Sequence, residues 1–121
     1  MINIVSLSLS NTMYESSKNH PPESDEFEKA GLTPAPCEVV KVPRVEEAGV
    51  SMECILDRVL ALGSDHLVIG MMVRFHVRDE LYENGRIDVA GLDPLGRLAG
   101  NHTKVETIFE LPAVNFQQPS R

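Results

Sequence analysis

Gly63-Ser64-Asp65-His66-Leu67-Val68-Ile69-Gly70-Met71-Met72-Val73-Arg74-Phe75-His76-Val77-Arg78-Asp79 is the stretch whose reading decides the fold. From His66 an apolar, β-branched run passes into strict alternation, with Val73, Phe75 and Val77 on one face and Arg74, His76 and Arg78 on the other. A period of two marks a strand, so His66 to Asp79 is expected as one long strand. Its first half is apolar on both faces and must be covered on both sides, while its second half has one wet face. The Arg74, His76, Arg78 face reads as an ordinary solvated strand face, and no ligand role is assigned to it.

Upstream, Ser51 to Leu62 is ambiguous. Met52, Ile55, Leu56, Val59 and Leu60 fit helical spacing, and Val50, Met52, Cys54 and Leu56 fit a strand; periodicity alone slightly favours the helix. Glu38 to Val42 is a brief strand candidate stopped by Pro43. Met1 to Ser10 alternates as a strand does, with a shift near Val5. Asn11 to Lys18 suits a short helix ended by His20-Pro21-Pro22, and a second short helix follows between a cap at Asp25 and a left-handed stop at Gly31. Thr33-Pro34-Ala35-Pro36 is an extended connector. Downstream, Asn84-Gly85 is a turn, Arg86 to Leu98 a loop with short irregular structure, and Thr103 to Leu111 a final strand or extended arm. Residues 1–112 are expected as one domain and 113–121 as a flexible C-terminal tail.

Length and composition agree with a single domain, since 121 residues at 42% hydrophobic content suffice for one core and not for two. Eleven basic residues against 18 acidic ones leave a net charge of -7, a field that repels nucleic acid and anionic membranes. Cys37 and Cys54 have no CxxC spacing and read as reduced, packed thiols. Four scattered histidines give no metal constellation, and Asp57, Asp88 and Asp93 no paired acid-base spacing. The first ten residues lack the basic start and unbroken apolar segment of a secretion signal, and the apolar run Leu67 to Val73 falls far short of a membrane span, so a cytoplasmic location is expected.

Gly63-Ser64-Asp65-His66 entering a strand that reaches Gly70 resembles the flavin-reductase-like, FMN-binding split-barrel family. The resemblance extends through Met52-Glu53-Cys54, Val73-Arg74-Phe75-His76-Val77, Arg86-Ile87-Asp88, Gly96-Arg97-Leu98-Ala99-Gly100 and Phe109-Glu110-Leu111-Pro112, and includes Asp25 to Thr33. It implies a mainly β fold with short helices, a partial antiparallel split β-barrel of the FMN-binding type, and it turns Ser51 to Leu62 into a strand. It also implies that the chain matches the family's C-terminal part, the N-terminal strands and phosphate loops having no counterpart here. Two positions depart from the family pattern: Met71 follows Gly70 where an acidic residue is common, and Asn101-His102-Thr103-Lys104 lacks a tyrosine.

The chemistry implied by the resemblance is that of an NAD(P)H-dependent FMN oxidoreductase, paired into a homodimer; a rival reading is a non-enzymatic, β-rich dimerisation remnant without flavin. Cofactor contacts are expected at His66, a polar ring at the mouth of a strand, and at Arg97, whose guanidinium lies between two glycines. Gly100, His102 and Phe27 complete the set, Phe27 either covering a flavin ring or anchoring its helix. No catalytic residue and no metal ligand is assigned.

Overall fold

The alternation from Val73 to Val77 does land in a long strand. The computed structural model describes residues 1–112, so the tail expected over 113–121 lies outside the described residues. In chain order the elements are β1 (Ile2–Asn3), α1 (Ser10–Ser16), α2 (Glu26–Ala30), β2 (Pro34–Ala35), β3 (Arg44–Val45), β4 (Val50–Leu62), β5 (Asp65–Val77), β6 (Tyr82–Glu83), β7 (Arg86–Ile87), α3 (Val89–Leu92), β8 (Leu95–Leu98) and β9 (Asn101–Lys104). The architecture is mainly β with short helices, as expected.

β4 and β5 are 13 residues each and pair antiparallel from Val50 opposite Val77 to Leu62 opposite Asp65. Register shifts between Glu53 and Cys54 and between Leu56 and Arg58 bend the hairpin. β1 joins the other edge of β4, with Ile2 opposite Met52 and Asn3 opposite Ser51, giving a sheet of order β1-β4-β5. β2–β3, β6–β7 and β8–β9 are two-stranded ribbons. In the β6–β7 turn Asn84 and Gly85 both have positive φ (51° and 76°), the left-handed pair a two-residue hairpin needs.

The core lies at the base of the long hairpin, where Val50, Leu81 and Leu92 are buried with Ile4 and Val77 packed against them. Beyond that base the hairpin is apolar and bare. Leu56 is 64% exposed, Met71 60% and Val68 63%, so the two-sided cover required by the first half of β5 is not supplied by the described residues.

Four local expectations are corrected. After Ile4, whose N–H donates to the Val50 carbonyl, the chain leaves β4: Leu7 N–H donates to the Asp93 carbonyl and Leu7–Leu9 is a 3-10 turn. The alternation of leucine and serine there reflects a tight turn, not a strand. Glu38 to Val42 forms no strand, because Glu53 takes its amides. Arg86 to Leu98 is more regular than a loop, containing β7, β8 and the helix α3, capped by Asp88 through Gly91 N–H at 3.1 Å. The last strand is shorter and earlier than expected: β9 spans Asn101–Lys104, and 105–110 has no regular element. Ser51 to Leu62 is a strand, as the family resemblance implied, and cross-strand pairing overrides the helical spacing.

Candidate functional site

Glu53 is the most enclosed side chain at the base of the hairpin, with 0% of its surface exposed. A carboxylate without water must find donors inside the protein, and four converge on it. Glu38 N–H donates to Oε2 at 2.9 Å, Val39 N–H and Val40 N–H to Oε1 at 2.7 and 3.0 Å, and His76 Nε2 lies 2.6 Å from Oε2. Burial alone would raise its pKa, but the Glu38 amide, the His76 ring and the Val39 and Val40 amides outweigh burial and hold it at about 2. Glu53 is therefore an anion at neutral pH, and because a carboxylate only accepts, His76 Nε2 is the donor in their contact.

Beside this pair opens a cleft of about 770 Å³. Its walls include Thr33, Glu38, Arg44, Glu47, Arg74, His76 and Arg78. Arg78 is fixed by Nη2 donating to the Glu46 carbonyl at 2.8 Å, and Glu47 accepts from Thr33 N–H and Oγ1. Arg44 Nε is buried with no hydrogen-bond partner. Cys37, next to this wall, has its thiol pKa pushed up by burial and by the Glu53 charge. The Arg74, His76, Arg78 face, expected as simply solvated, thus supplies one wall of a cleft and the partner of a buried carboxylate. Neither Glu53 nor Arg44 stands among the site residues expected from the sequence. The available signal was a glutamate set directly between the apolar Met52 and Cys54.

The five expected cofactor contacts lie on three separate elements. His66 sits at the tip of the β4–β5 hairpin, opposite Ala61 and exposed. Arg97 and His102 are directly opposed across β8–β9, and Gly100 lies in the turn between these strands, with open space where a Cβ would be. Phe27, on α2, is half-buried and lines a cavity of about 260 Å³ with Met1, Leu32 and Val42, without any of the other four. One ribbon therefore brings Arg97, Gly100 and His102 together, while His66 and Phe27 stand apart. Opposed guanidinium and imidazole groups beside an open glycine fit an anionic phosphate. Among the described residues no cluster of His, Cys, Asp and Glu is placed to hold a metal ion, and no helix is long and apolar enough to cross a membrane.

Comparison with known proteins adds ancestry to this geometry. An uncharacterised protein of Halalkalibacterium halodurans is 38% identical over 105 residues, covering 81% of this chain and 50% of its own. One of Aquifex aeolicus is 37% identical over 103 residues, covering 84% and 53%. The chain spans about half the length of these curated relatives. Among solved structures, nitrilotriacetate monooxygenase component B from Bacillus cereus superposes with a TM-score of 0.83 at 45% identity, over 90% of this chain and 57% of that one. A split-barrel flavin reductase from Shewanella frigidimarina, described as putative, matches with a TM-score of 0.78 over 93% of this chain and 59% of its own; at 24% identity it speaks to the fold alone. The model of the flavin reductase like domain matches residues 1–96. The chain therefore belongs to the flavin reductase like domain family and has its split-barrel type of fold.

Proposed function

We propose that this protein binds FMN and serves NAD(P)H-dependent flavin reduction in the cytoplasm as a homodimer. The observation that carries the reading is the 45% identity with nitrilotriacetate monooxygenase component B across 90% of the chain, on a backbone with a TM-score of 0.83. When bound, the isoalloxazine ring supplies the redox chemistry. The chain's own residues supply binding: Arg97 offers a planar fork of donors and His102 a ring nitrogen from the opposed strand, and Gly100 lets backbone approach closely. His66 presents a polar ring at the hairpin tip, and Phe27 an aromatic face. A second copy covers the bare hairpin and brings these separated groups into one site.

The test is reconstitution. The purified chain, incubated with FMN and then freed of unbound flavin by gel filtration, is expected to retain a yellow colour with a band near ~450 nm, and to oxidise NADH or NADPH. Arg97→Ala and His66→Ala are each expected to weaken FMN about tenfold, the usual scale for losing a charge-assisted contact. The exposed hairpin also supports the second reading, a β-rich dimerisation module without flavin. Protein that comes off the gel-filtration column colourless after incubation with excess FMN would assign that reading instead.

A further inference from the structure

The cleft beside Glu53 and His76 takes no part in the flavin reading, and two of its arginines hold donors without partners. Arg44 Nε is a buried donor without a partner, an arrangement native proteins avoid unless a water, ion or ligand completes it. Arg74 lies two residues from His76 along β5 and lines the same cleft, and its guanidinium makes no hydrogen bond or ion pair with the described residues. His76 is committed through Nε2 to Glu53, and its Nδ1 has no partner among the described residues. At about 770 Å³ the cleft has the volume of a small-molecule site.

We propose that this cleft binds a phosphate group that still carries a proton, with Arg44 and Arg74 on its oxygens and His76 Nδ1 accepting from its hydroxyl. Two cationic forks match the tetrahedral oxyanion, and in the proposed complex a ring that donates through Nε2 to Glu53 accepts at Nδ1, which selects an oxyanion with a hydroxyl to donate. The carboxylates in the lining sharpen the choice. Glu47 is occupied by Thr33, while Glu38, Glu46 and Asp79 are exposed and screened by salt. They repel a fully ionised polyanion more than a protonated phosphate. The same group comes from inorganic phosphate or from a phosphomonoester.

The experiment follows the arginine Nε–H and histidine ring signals by NMR while the full chain is titrated with inorganic phosphate, glycerol phosphate or sulfate at constant ionic strength. Phosphate is expected to shift Arg44 and Arg74 saturably and sulfate, which has the shape but no proton, is not. Arg44→Gln and Arg74→Gln each weaken phosphate about tenfold or more, Arg97→Ala leaves it unchanged, and His76→Gln abolishes the preference over sulfate. Saturation by glycerol phosphate assigns the site to monoesters; saturation by inorganic phosphate alone assigns it to the free ion. Equal saturation by sulfate, shifts that never saturate, or full phosphate affinity in Arg44→Gln overturns the proposal. None of these outcomes depends on FMN binding, so each reading fails separately.

Discussion

Glu53 takes three consecutive amides from a segment that lies 13 to 15 residues earlier in the chain. Its ordinary carboxyl value is 4.5 and its folded value about 2, so between these the native state binds fewer protons than the unfolded one. The stability it contributes is fully present above about pH 4.5 and is lost as pH falls toward about 2. Thermal melts from pH 7 to 2 are expected to show a falling melting temperature through that window, and Glu53→Gln to start lower and fall less. An unchanged acid limb in Glu53→Gln would remove the carboxylate from this role. The motif Met52-Glu53-Cys54 was visible in the sequence, but its role was not. Periodicity reports which side a residue faces, whereas Glu53 matters because of amides that only tertiary structure delivers to it.

Among the elements, β4 and β5 divide into a packed base and a bare outer part. β5 was legible, because alternation through Val73, Phe75 and Val77 has no helical counterpart; β4 was legible as a strand only through the family resemblance, since its apolar residues satisfy both periods and its pairing with β5 is not written in its own pattern. Glu38 to Val42 failed for the reverse reason: a short apolar pattern without a neighbouring strand is not a strand. In the proposed dimer the outer hairpin is the contact surface. Leu60 (44% exposed, opposite Leu67) and Val68 (63% exposed, opposite Val59) stand bare in a single chain. Leu60→Lys and Val68→Lys are expected to change the unfolding free energy of the isolated chain by no more than about 0.5 kcal/mol, the surface-substitution scale. Each is expected to weaken self-association at least ~10-fold by placing an unpaired ammonium in an apolar contact, read by sedimentation. Association unaltered by both would exclude the hairpin as the dimer contact.

At the scale of the whole molecule, the chain exposes 9727 Å², whereas a compact monomer of this length exposes about 6,500 Å². With a full unfolded-chain allowance of ~1,400 Å² set aside for the residues after Pro112, roughly 2,000 Å² of excess remains. A standard interface takes ~800 Å² from each partner, so the excess is large enough for more than one covering surface. The apolar run Leu67 to Val73 announced this in sequence; which surfaces provide the cover is not written in the run itself. Within the chain, the tie from Glu53 to the 38–40 segment has a kinetic consequence. Amides in an irregular segment normally trade their hydrogens with solvent quickly, but those of Glu38, Val39 and Val40 can do so only when the carboxylate lets go. In deuterium exchange they are expected to be as slow as the Val50 to Cys54 strand and to accelerate together in Glu53→Gln. The front of the chain and its central sheet then open as a single cooperative unit, joined by one side chain.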